Sequence, residues 1–145
     1  MPMTATRSNI IYCRDVLASK AVAGLARSAV TEVLLNIGLP HAVDDGILIM
    51  AELVNNAVAV TPPGGIIRLF AGPRMEGIVM AVWDADDRIP KPGPPPAITA
   101  ESLDLRPENF DRNGGWGLGI VATLARECWI ERTRPGKWVC ASLDA

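Results

Sequence analysis

The chain has 145 residues, nearly half of them apolar, and a formal net charge of −2 from 14 basic and 16 acidic side chains, which suits a single domain (1–145) with a substantial core. Lys and Arg are scattered, so no basic face for nucleic acid or anionic lipid is called for, and MPMTATRS holds no apolar signal core. With one histidine (His41) and three cysteines (Cys13, Cys128, Cys140) lacking CxxC spacing, a Ser-His-Asp triad, a multi-histidine metal site, a zinc site and a disulfide framework are all disfavoured.

Residues 8–18 mix Ile10, Ile11, Tyr12, Val16 and Leu17 with polar side chains and predict an extended segment or edge strand, after which Ser19 is placed to cap a helix. Apolar residues then recur at three- and four-residue steps from Val22 to Ile37, a helical period that Gly38 and Pro40 stop. A second helix is expected from near His41, with Asp44 and Asp45 in its opening turns, where the macrodipole favours acids. It ends before Thr61-Pro62-Pro63-Gly64-Gly65.

Within this second helix, 47–60 reads ILIMAELVNNAVAV, apolar on nearly every side yet carrying Glu52, Asn55 and Asn56. Glu52 and Asn56 lie one turn apart on one line, with Asp45 and Ala59 near it. Buried polar groups of this kind are costly unless each meets a partner. The plain alternative is that the strip is the helix's wet side.

Two short apolar runs, 66–71 and 78–83, predict a hairpin turned by Gly72, Pro73 and Gly77. The second run is almost wholly apolar, so both its faces are expected to be covered, and Asp84 stands at its end. Asp84 suits a donor such as an exocyclic amine, or simply ends a strand before a turn. From 85 to 113 the chain is proline-rich, the composition of a long functional loop. Gly114-Gly115-Trp116-Gly117-Leu118-Gly119 then leads into an apolar stretch, 120–125, read as a third helix. Glycines let backbone N–H groups crowd toward one anion, and a helix start adds to the attraction, so a phosphate is the natural guest; a flexible entry into a helix is the plainer reading. Neither the Walker A spacing nor the dinucleotide fingerprint is present. A final hairpin, 129–132 and 138–143, turns at Arg134-Pro135-Gly136. Hairpins without βαβ crossovers predict an α+β domain, a mostly antiparallel sheet with helices layered on one face.

Together the motifs supply a hard oxygen ligand for Mg²⁺ (Asn56), a proton acceptor one turn earlier (Glu52), an amine acceptor (Asp84) and a phosphate cradle. That set suits a purine nucleoside triphosphate.

In this order and spacing, ELVNNAV resembles the N box, WDADD the start of the G1 box and GGWGLGIV the G2 box of the GHKL (Bergerat-fold) ATPase and kinase superfamily. The layout is most similar to its small stand-alone members, the anti-sigma-factor serine-protein kinases and related single-domain ATP-binding proteins. The resemblance implies a two-layer α+β sandwich with a mixed, mostly antiparallel sheet and three helices on one face. It implies ATP and Mg²⁺ as cofactors, with Asn56 as metal ligand and Glu52 as catalytic base or water-orienting residue. Asp84 would bond the adenine amine, and Gly115, Gly117, Leu118 and Gly119 would line the phosphates. An ATP lid would span about 85–114, with Arg88, Lys91 and Arg112 within reach of phosphate. Expected partners are a sigma factor or a small anti-anti-sigma-type protein, and homodimers are expected of relatives; neither nucleic acid nor membrane is, and the location would be cytoplasmic. Two departures stand out. Asp86, with Asp87 beside it, replaces the usual G1 glycine, and Ala59-Val60 replaces a basic residue and a histidine. Two functions therefore compete: a serine kinase, and a nucleotide-gated binding module with little or no phosphoryl transfer.

Overall fold

A computed structural model describes residues 10–75, 77–88 and 118–143. Strand β1 (Tyr12–Leu17) is followed by helix α1 (Val22–Ile37), a 3₁₀ turn (Pro40–Ala42) and helix α2 (Val43–Ala59). Strands β2 (Ile66–Arg74) and β3 (Gly77–Asp84), helix α3 (Leu118–Leu124), and strands β4 (Glu127–Arg132) and β5 (Lys137–Leu143) complete the order. Among the described residues five strands form one sheet in the order β1-β2-β3-β5-β4, and every pairing is antiparallel, in line with the expected mostly antiparallel sheet. The three helices pack on one face, giving the two-layer α+β sandwich.

Helix α1 buries Val22, Ala26, Ala29, Val30, Val33 and Leu34, the three- and four-residue rhythm visible in the sequence. It ends where Gly38 takes φ +92° and its N–H reaches the carbonyls of Leu34 and Leu35, satisfying groups that the helix itself leaves open. Ser19 makes no side-chain cap. Ala21 holds the N-cap position, and the Ser19 backbone carbonyl instead accepts from Val22 N–H. Helix α2 carries Asp44 and Asp45 in its first turn, and Thr61 donates its hydroxyl back to the Ala57 carbonyl at 2.6 Å as the chain leaves the helix.

The β2–β3 turn is tighter than expected. Gly72 and Pro73 lie inside β2, paired with Val79 and Ile78, and the reversal falls between Arg74 and Gly77. A Cβ on Gly72 would come within 2.9 Å of the Ile10 carbonyl and 3.2 Å of Ile11 Cα, so this glycine admits the chain that leads into β1.

Strand β3 is buried on both faces, as its composition predicted. Ile78, Met80 and Val82 join the main core beneath the helices with Ile67, Leu69, Val139 and Ala141. Asp84 continues that row, because side chains alternate along a strand. Val79, Ala81 and Cys140 face the other way and are covered by Phe70, Trp129 and Trp138.

The direction of α2 across the sheet decides what meets what. A Cβ on Gly46, near the start of α2, would touch Leu143 at 3.6 Å, and Leu143 pairs with Ile78 at the start of β3. At the other end the link 60–65 delivers the chain into β2, whose early residue Arg68 pairs with Trp83. Helix α2 therefore runs alongside β3 in the same sense and finishes at the Asp84 end. Helix α3 packs on α2 and runs opposite to it. Just past its C-terminal end, Arg126 N–H bonds the Ser142 carbonyl at 2.8 Å, and Thr123, Leu124 and Ala125 share a hollow with His41, Ala42 and Asp45. The start of α3 consequently points to the same end as Asp84 and the close of α2. Among the described residues no helix is long and apolar enough to cross a membrane.

Candidate functional site

Of the polar strip on α2, only part is wet. Asp45, Asn55 and Ala59 are exposed and Glu52 is half-buried, while Asn56 is 4% exposed. Among the described residues neither Oδ1 nor Nδ2 of Asn56 has a hydrogen-bond partner. A primary amide shut away with none of its bonds made costs about 1–3 kcal/mol relative to one that is satisfied. Burial pushes the Glu52 carboxyl above its ordinary value, toward the range useful to a proton acceptor near neutral pH.

Asp84 is 2% exposed and forms an ion pair with Lys137, the residue directly opposite it in the β3–β5 register. The Lys137 ammonium donates to Asp84 Oδ1 at 2.7 Å and to the Asp86 carbonyl at 2.7 Å, and Asp86 N–H also donates to Asp84 Oδ1 at 2.9 Å. Burial raises the Asp84 carboxyl above its ordinary value, and the Lys137 contact pulls it back. The two extra carboxylates after Asp84 are also engaged. Asp86 pairs with the exposed Arg88 guanidinium, which holds its carboxyl down at about 2, and Asp87 accepts from Gly136 N–H at 2.8 Å. Asp86 and Asp87 are thereby tied to Arg88 and to the β4–β5 turn, a use that their position in the sequence did not reveal.

Gly119 is buried in the first turn of α3. Leu118 begins that helix, whereas Gly115, Gly117 and the lid positions Lys91 and Arg112 lie outside the described residues, as does the lid beyond Arg88. Among the described residues, then, Asn56 near the close of α2, Asp84 at the end of β3 and Gly119 at the start of α3 are brought to one end of the sandwich, with Glu52 a turn back along α2. Arg88 lies just after them, engaged with Asp86.

Lys137 escaped the sequence reading. A lysine two residues after Pro135 looks like a solvated charge on a turn. Only the pairing of the last strand with β3 sets it against Asp84, and the faint signal for that was the match between two apolar runs, one followed by Asp84 and the other preceded by Lys137.

No group of three or more His, Cys, Asp or Glu side chains suited to hold a metal occurs among the described residues. Mg²⁺ needs no such cage: it binds through one or two protein oxygens, with phosphates and waters completing its shell. The unpartnered Asn56 carbonyl fits that requirement. Residues 16–143 match the family model described as the histidine kinase-like ATPase domain. No curated protein matches the chain.

Proposed function

Because the chain belongs to the histidine kinase-like ATPase domain family, we propose that it binds ATP with Mg²⁺ at the Asn56–Asp84 end of the sandwich and acts as a regulatory serine-protein kinase on a small anti-anti-sigma-type partner. The observation that carries this reading is Asn56, a carboxamide sealed into an apolar helix with both polar atoms unmet. Its cost is explained if a ligand completes its bonds.

In this reading Asn56 holds the metal through Oδ1, and the glycines after the lid bind phosphate oxygens through backbone N–H groups. Bound Mg²⁺ supplies charge neutralisation on the phosphates. Glu52 accepts the proton of a serine hydroxyl as the oxygen bonds to the γ-phosphorus and the bond from that phosphorus to the β–γ bridging oxygen breaks, leaving ADP. Its raised affinity for a proton suits that task. Asp84 accepts from the adenine amine. A sigma factor is the second expected partner, held or released according to nucleotide state.

Titration with labelled ATP tests the first step. Saturable binding that weakens when Mg²⁺ is withdrawn and in Asn56→Ala is expected; absence of binding at millimolar ATP overturns the proposal. Transfer is tested with small proteins encoded beside this one. Glu52→Ala should retain ATP and lose phosphorylation of the partner, and a wild-type protein that binds ATP but never transfers would be a nucleotide-gated binding module instead.

A further inference from the structure

The Asp84–Lys137 pair asks for more explanation than packing gives it. Both side chains are 3% exposed, and they meet where β3 ends and β5 begins. Withdrawing two charges from water costs about as much as their attraction returns, and well-packed apolar residues often do as well or better, so stability alone is a weak reason for the pair. The geometry has a directional consequence instead. Oδ1 of Asp84 accepts from both the Lys137 ammonium and the Asp86 N–H, while Oδ2 takes neither bond. Lys137 has in turn committed two of its three protons, one to Asp84 and one to the Asp86 carbonyl, which fixes it in place.

We propose that Lys137 sets the base selectivity of the nucleotide site by holding Asp84 as an acceptor-only carboxylate with one oxygen left for a base amine. A base with an amino group at its six-position meets that oxygen as a donor. A base with a carbonyl there places acceptor against acceptor and is refused. Burial disfavours the charged form of Asp84 and the ammonium beside it favours that form; a protonated carboxyl, by contrast, has an O–H that donates to a carbonyl as readily as its own carbonyl oxygen accepts from an amine. Lys137 acts through Asp84 and is a positioning residue. This inference rests on the nucleotide reading above, and it adds why this chain spends a buried lysine there.

Calorimetric titration with ATP and with inosine triphosphate, which carries a carbonyl in place of the adenine amine, decides the matter. The wild-type protein should prefer ATP, and in Lys137→Met the ratio of the two affinities should fall by about tenfold or more, with ATP weakened and the inosine nucleotide gained or unchanged. Lys137→Gln, which keeps a donor but no charge, should behave alike and decides the question if the methionine variant does not fold. A preference unchanged in whichever folded variant is measured makes the pair a structural tie and overturns the proposal. Wild-type protein that binds both nucleotides equally also overturns it while leaving nucleotide binding intact. Binding of neither removes the functional reading and this inference together.

Discussion

At the scale of single residues, Asn56 and Glu52 are polar groups whose burial carries a cost. Replacing Asn56 by leucine, of similar size and without polar atoms, should stabilise the nucleotide-free protein by about 1 kcal/mol in urea unfolding, since an unmet amide is removed. The same variant should lose Mg²⁺-dependent ATP binding. Glu52 binds its proton more tightly when folded, so its contribution favours the native state at acid pH and is lost as pH rises through its raised value. Glu52→Gln removes that loss. It should raise the melting temperature relative to wild type at pH 7.5 and leave the two indistinguishable at pH 3.5, below the ordinary glutamate value. Both residues were legible in the sequence because polarity inside an apolar helical period is conspicuous. Lys137 was not, because its importance depends on strand order, which no local pattern carries.

At the scale of elements, two glycines separate a conformational requirement from a spatial one. Gly38 has φ +92° with open space around its missing Cβ, so Gly38→Ala should cost only the left-handed backbone penalty of about 1 kcal/mol in chemical unfolding. Gly136 has φ +90°, and a Cβ there would overlap the Asp84 carbonyl oxygen. Gly136→Ala should cost about 3 kcal/mol or more and, by displacing the β4–β5 turn from Asp84, should weaken ATP binding in the protein that still folds. The close of helix α1 could be placed from sequence to the residue because its periodicity and its glycine stop agree, whereas its N-cap falls at Ala21, two residues past the expected Ser19. The β2–β3 turn was misjudged for the converse reason: Gly72 and Pro73 carry turn chemistry, yet there the glycine serves a close approach of backbone and the proline is accommodated within the strand.

At the scale of the molecule, the parallel course of α2 and β3 and the opposed course of α3 gather the candidate residues at one end and leave His41, Asp45 and Arg126 at the other. Hydrogen exchange should register that polarity. ATP with Mg²⁺ is expected to slow amide exchange over 52–60 and 84–87 while leaving 40–46 unchanged; protection confined to 40–46 would place the ligand at the wrong end. The antiparallel sheet with helices to one side could be inferred from hairpin spacing, whereas the relative direction of helix and strand is set by tertiary contacts such as Gly46 against Leu143.

Trp83, Trp129 and Trp138 all lie on the side of the sheet away from the helices, Trp83 beneath the Arg68 guanidinium at 4.8 Å and Trp129 bonded to Glu131. The chain has four tryptophans, and the remaining one, Trp116, sits among the glycines. Three indoles thus form an optical background on the face of the sheet opposite the helices that carry the proposed nucleotide site. A change in emission on adding ATP that vanishes in Trp116→Phe would make one native fluorophore a reporter of occupancy, with no dye attached.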